Sequence, residues 1–145
     1  MEVETVLVPV DGSDESAEAA EYAVAIARRY GAALHVLYVL GEGVERALRT
    51  GDLDGESVAD EHRGFVGELR GMAVEAEVGF SVSTAVGFSA TSKRHHPGSV
   101  TLDTAEDVDA DFIVIPREPA GEGSTVLEKA AEYVLLYASQ PVLSV

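Results

Sequence analysis

The stretch TVLVPVDGSDESAEAAEYAVAIARRYGAALHVLYVL, residues 5–40, decides the fold. Thr5 to Val10 is a short β-rich apolar run, and Ala32 to Leu40 is a nearly continuous one, as in a parallel sheet covered on both faces. Between them lies a helix with both ends marked. Ser13 or Asp14 can cap its start, acidic residues fill its first turn, and Gly31 can take the left-handed conformation that stops it. Ala20, Val24 and Ala27 offer a face for packing on a sheet. Strand, helix and strand in this order form a right-handed parallel crossover.

The pattern continues outward from there. Residues 41–60, rich in Gly, Asp and Glu, read as an exposed excursion with a short helix around Val44 to Arg49. ESVADEHRGFVGELRGM is a weaker helix that carries Val58, Phe65, Val66 and Leu69 but is interrupted by Gly64 and Gly67. The segment AVEAEVGFSVSTAVGFSA, which alternates from Ala73 onward, should contain the third strand, lengthened or bent at Gly79 and Gly87. TSKRHHPG is a loop, SVTLDTAEDVDA a helix starting at Pro97 or Ser99, DFIVIP a strand, STVLEKAAEYVLLYA a helix and PVLSV a terminal strand. Alternating strands and helices argue a parallel α/β layer fold. Ligands then bind beyond the carboxyl ends of the strands, where the strand order reverses, on a rim that holds Asp11, Val39 and residues 116–125.

A chain of 145 residues, 46% hydrophobic, suits one domain with a sizeable core, spanning residues 1–145. It has no run of 18 apolar residues, and MEVETVLVPVDGSDES lacks the features of a signal peptide, so the expectation is a soluble, cytoplasmic protein without a membrane role. The absence of cysteine excludes disulfides, thiolate nucleophiles and cysteine-bound metal centres. Acidic residues number 26 against 10 basic ones, a formal charge of -16 that repels nucleic acid. With Lys93 and Lys129 the only lysines, this is the acidic surface expected of a protein that works in concentrated salt, where the Debye length falls to about 3 Å at 1 M.

The segments VLVPVDGSDES, AIARRYGAALHVLYV, DTAEDVDADFIVI and LEKAAEYVLLYASQPVLSV together resemble the universal stress protein family, over essentially the whole chain and most weakly between residue 41 and about 95. The resemblance implies a three-layer sandwich: a five-stranded parallel sheet of order 3-2-1-4-5, Rossmann-like and similar to the adenine nucleotide alpha hydrolases. It also implies a homodimer formed through the C-terminal edge strand. Part of the family binds ATP, through an aspartate ending strand 1, a backbone contact to adenine after strand 2, and a Gly-x2-Gly-x9-Gly-Ser/Thr loop after strand 4. Asp11 matches the first and Val39 the second.

The phosphate loop departs from that pattern. Alignment on VLEKAAEYVL puts Glu128 and Lys129 at the Gly-Ser pair, with Ile115 and Glu118 at the earlier glycines. A loop one residue shorter lets Gly121 stand for the second glycine. Pro116 and Pro119 each remove an N–H donor, and Glu118, Glu122 and Glu128 oppose a phosphate against Arg117 and Lys129 alone. Gly121, Gly123, Ser124 and Thr125 can still form a small anion nest, or Ser124 or Thr125 can simply cap the helix.

The implied function is a binding and dimerisation module in the stress response, not an enzyme and without the family's usual ATP binding, so that no cofactor is expected. Two alternatives stay open: ATP bound through the altered loop, and AMP or another adenosine compound held by Asp11 and Val39. Lys93, Arg94, His95 and His96 could hold an anion or balance nearby acid; this segment replaces the family's short Gly-x-Pro link. No zinc or calcium spacing is present, so no metal is expected. Tyr133 and Tyr137, four apart on the last helix, are expected to pack against the sheet.

Overall fold

The computed structural model describes residues 2–86, 96–117 and 126–145. In chain order the elements are β1 (Thr5–Val10), α1 (Asp14–Tyr30), β2 (Ala33–Leu40), α2 (Glu42–Thr50), α3 (Gly55–Glu75), β3 (Phe80–Val86), α4 (Pro97–Asp107), β4 (Phe112–Ile115), α5 (Val126–Tyr137) and β5 (Val142–Ser144). All strand pairings are parallel, and the sheet order is β3-β2-β1-β4-β5.

Strand alternation sorts the core into two faces. Val6, Val8, Val10, Leu34, Val36 and Tyr38 pack with α1 and α3 on one side. Leu7, Leu37, Val39, Ile113 and Ile115 pack with α4 and α5 on the other. The first crossover forms as its sequence dictates: Ser13 Oγ accepts from Ser16 N–H at 3.2 Å, and Gly31 stops α1 at φ 65°. Gly64 and Gly67 do not break α3, because Val66, Leu69 and Ala73 are buried and that packing offsets a propensity cost of about 1 kcal/mol per glycine.

One sequence expectation is narrowed and one corrected. The segment from Ala73 does contain the third strand, but β3 starts only at Phe80: α3 continues to Glu75 and Glu77 turns the chain at φ 59°. Gly87 lies outside the described residues. Ala73 is fully buried against the core, so helix packing decides the conformation of a run whose period suits either. Tyr133 and Tyr137 do not pack on the sheet. Leu127, Ala130, Ala131 and Val134 occupy that face of α5, and the two tyrosines stack on each other with ring centroids 4.7 Å apart, beside α4.

Pro9 stands in a central strand, and the ladders show why it is tolerated. Ala33 N–H donates to Glu4 O, and Asp111 N–H to Thr5 O. Even-numbered residues of β1 therefore present their main chain to β2, and odd-numbered ones to β4. Pro9 faces β4 with no N–H to give. Register with β4 ends at Leu7 opposite Ile113, whereas register with β2 continues to Val10 opposite Tyr38. The sheet thus splits between β1 and β4, where the strand order reverses.

Candidate functional site

The carboxyl ends of β1, β2 and β4 form the rim of this split. Asp11 and Val39 are each the next residue after the last paired couple, Val10 and Tyr38, so the structure brings them side by side. Residues 118–125, including Gly121, Gly123, Ser124 and Thr125, lie outside the described residues, as do Lys93, Arg94 and His95.

Asp11 is half-buried and organises the turn into α1. Its Oδ1 accepts from Ser13 N–H at 3.0 Å and from Ser13 Oγ–H. Asp11 N–H donates to Ser16 Oγ at 3.3 Å, and Ser16 Oγ–H donates to Ser13 O at 2.9 Å. This closed set occupies one carboxylate oxygen. Oδ2 has no partner among the described residues and is the oxygen available to a ligand hydroxyl.

Val39 is 1% exposed as a whole residue, main chain included, and its side chain belongs to the core. By the ladder alternation its N–H and C=O point to the β1 side, level with the turn where β1 has ended. Pro116 and Arg117 follow β4, with Arg117 N–H donating to Val145 O at 2.8 Å. The Arg117 side chain is exposed and brings a positive charge to the rim.

Sequence reasoning passed over the group behind this turn. Tyr38 Oη donates to Asp11 O at 3.4 Å. Its ring stacks on His62 with centroids 4.4 Å apart and meets Phe65 edge-on. His62 Nε2 in turn lies 3.1 Å from Thr84 Oγ1, tying α3 to β3. Burial foremost, then the charges of Asp11 and Glu61, push the Tyr38 hydroxyl above its ordinary range, so it remains a donor. The only sequence signal was a tyrosine near the end of an otherwise aliphatic strand.

His96 is the described member of the basic segment, and its role is local. Nδ1 accepts from Gly98 N–H at 3.0 Å, capping α4, and the ring stacks on Tyr133 at 4.6 Å. His35 is buried on β2, with Nδ1 2.7 Å from Ser81 Oγ and Nε2 2.9 Å from Ser83 Oγ. A neutral ring donates from one nitrogen and accepts at the other, and the two hydroxyls can fill both roles. Among the described residues, no three His, Asp or Glu side chains are grouped to hold a metal.

Burial holds the His35 imidazole below its ordinary range. As pH falls, the unfolded chain therefore takes up a proton before the folded one. The stability tied to neutral His35 is full above about pH 6.5 and declines below it. His96, lowered by burial and then by Lys129, contributes in the same direction. We expect His35→Asn to flatten the fall in melting temperature between about pH 7.5 and 5.5. An unchanged slope would show that His35 carries none of it.

The strand order and the crevice at its reversal define a Rossmann-like α/β protein. The chain belongs to the universal stress protein family, whose model matches residues 2–145. Among solved structures it resembles a universal stress protein in complex with cAMP, at 21% identity and TM-score 0.67, covering 100% of this chain and 98% of that one. Universal stress protein UspA from Lactobacillus plantarum is similar at 21% identity and TM-score 0.70, covering 100% of this chain and 99% of that one. So is the universal stress protein from Archaeoglobus fulgidus in complex with dAMP, at 21% identity and TM-score 0.65, covering 99% of this chain and 98% of that one. No curated protein matches the chain. No helix among the described residues is long and apolar enough to cross a membrane.

Proposed function

We propose that this protein is a non-catalytic, dimerising module of the stress response, acting in a salt-rich cytoplasm as one domain, and that the rim between β1 and β4 takes an adenosine monophosphate in preference to ATP. The observation that carries the nucleotide reading is the split at Pro9, which ends the β1–β4 pairing next to Asp11, whose Oδ2 has no partner among the described residues, with Val39 beside it on β2. A carboxylate oxygen suits a ribose hydroxyl, and a main-chain pair suits the edge of adenine. One phosphate can be met by Arg117. A triphosphate would add charge to a chain already at -16, whose loop carries Pro119, Glu118 and Glu122. The cAMP and dAMP complexes of similar proteins support a ligand of this size.

Calorimetric titration in about 2 M KCl, which screens the surface field, tests this reading with AMP, ATP and adenosine. AMP is expected to bind at least as tightly as ATP. Asp11→Asn, which keeps an Oδ1 acceptor for Ser13, is expected to weaken AMP about tenfold, or 1.4 kcal/mol. A preference of more than about tenfold for ATP would favour the ATP-binding alternative, and silence with all three ligands would remove the nucleotide altogether.

Dimerisation rests on β5, which ends the sheet. Ile113 N–H donates to Pro141 O, and Val145 N–H to Ile115 O. The main-chain groups of Val142 and Ser144 therefore face outward, ready to pair with the same strand of a second copy about a two-fold axis. Leu135 and Leu136, exposed at 53% and 75%, lie just before this edge in the chain. Sedimentation in about 2 M KCl should give a dimer that weakens in dilute buffer as the repulsion between two acidic protomers is unmasked. Deleting residues 141–145 should leave a monomer; a monomeric intact chain at about 50 μM, or a truncated dimer of unchanged strength, would exclude this interface.

A further inference from the structure

Tyr38 is 8% exposed and packs under α1 and α3 on a face otherwise filled by Val6, Val8, Val10, Leu34 and Val36. Packing there asks for apolar bulk, which a phenylalanine ring would supply equally well. The hydroxyl is an addition with two consequences. Buried, it needs a partner, and it finds Asp11 O at 3.4 Å. It also stands where a Cβ on residue 12 would lie 2.6 Å away, so it bars a side chain from the next position of the same turn.

The Asp11 turn is thereby held from two directions. Ser13 N–H and Oγ–H donate to Asp11 Oδ1, while Tyr38 Oη–H donates to the Asp11 main-chain oxygen. With one carboxylate oxygen and the main chain both anchored, the direction of Oδ2 is set. The ring that carries the hydroxyl is itself fixed. His62 stacks on it with centroids 4.4 Å apart, and Phe65 meets it edge-on at 5.9 Å. His62 and Phe65 sit on one turn of α3, and His62 Nε2 lies 3.1 Å from Thr84 Oγ1 on β3. A donor on a ring clamped in this way keeps its place when the carbonyl it holds is pulled.

We propose that Tyr38 is a positioning residue of the rim: its hydroxyl, on a ring clamped by His62, fixes the Asp11 turn so that Oδ2 is aimed at a ribose hydroxyl before a ligand arrives. This rests on the nucleotide reading above and adds a narrower claim. Pre-organising one carboxylate oxygen raises affinity only for ligands that carry the hydroxyl it meets, whereas a general loosening of the fold weakens every ligand alike.

The test compares AMP with dideoxy-AMP, which lacks both ribose hydroxyls, by calorimetric titration of the intact protein in about 2 M KCl. The native chain is expected to prefer AMP about tenfold. Tyr38→Phe should cut the preference to about twofold and leave the affinity for dideoxy-AMP unchanged. His62→Ala should reduce the preference in part, and His62→Phe, which keeps a stacking ring, should restore it. Amide exchange in the ligand-free protein gives a second readout. Ser13 N–H, bonded to Asp11 Oδ1, should exchange about tenfold faster in Tyr38→Phe, with Val8 N–H in β1 unchanged.

Equal weakening of both nucleotides by Tyr38→Phe would overturn the proposal, because the hydroxyl would then serve stability alone. A preference kept in Tyr38→Phe but lost in Asp11→Asn would overturn it too, while leaving the nucleotide reading intact. Should neither nucleotide bind the native chain, the nucleotide reading fails, and Ser13 exchange still judges the hold on the turn: a faster rate in Tyr38→Phe upholds it, and an unchanged rate overturns it.

Discussion

Gly98→Ala is expected to cost about 3 kcal/mol of folding stability, at the upper end of what overpacking a well-filled interior does. The added Cβ would meet Tyr133 Cβ at 2.3 Å, Cγ at 2.6 Å and Cδ1 at 2.7 Å. The first of these atoms sits next to the α5 backbone and cannot be cleared by a rotamer change. Relief therefore requires α4 to move away from α5, loosening buried Thr101 and Ala105 on one side and Ala130 and Val134 on the other. Gly98 also donates its N–H to the capping ring of His96, so the start of the helix would be disturbed with it. The measurement is a chemical denaturation midpoint in about 2 M KCl, with Ser99→Ala as control. A loss below about 1 kcal/mol would mean that the two helices are not held in this contact.

Gly12→Ala should have a comparable effect for two separable reasons. Gly12 adopts φ +88°, where a side chain is strained by about 1–2 kcal/mol. A Cβ there would also lie 2.6 Å from Tyr38 Oη. That hydroxyl ends a ring fixed by His62 and Phe65, so it cannot swing away freely. Tyr38→Phe removes the obstructing oxygen but leaves the backbone strain. A double-mutant cycle should therefore show Gly12→Ala costing about 3 kcal/mol in the native background and about 1–2 in Tyr38→Phe. Strict additivity would show that the hydroxyl does not press on the turn. Because the same turn carries Asp11, the single variant should weaken AMP binding as well.

Much of the fold could be read from local chemistry. Ser13 capping α1, Gly31 stopping it and the apolar runs on either side are short-range signals that mean the same thing in any surroundings, and the structure places these elements within a residue or two of their expected limits. The family pattern added the strand order, which local chemistry does not contain. What misled was periodicity without context. The alternation from Ala73 to Val78 suits a strand edge as well as the end of a helix, and only the burial of Ala73 against the core decides between them.

The candidate site divides along the same line. Asp11 was legible as the residue that follows the first apolar strand, and Val39 through the family pattern, one residue before the second strand ends. That one carboxylate oxygen is already engaged, and that the Val39 side chain belongs to the core, depends on the turn closing and on α4 and α5 covering the sheet. Pro9 was visible in the sequence, but its consequence was not. A missing N–H opens a sheet only on the side it faces, and the parity that turns Pro9 toward β4 is set by hydrogen bonds to residues about a hundred positions away. The sequence by itself determined the elements, their order, the acidic surface and the residues at the strand ends, since these follow from dihedral preferences, hydrophobic period and charge. Only the tertiary structure decided which main-chain groups are left over and which rings face each other, because those depend on distances between segments that no local pattern encodes.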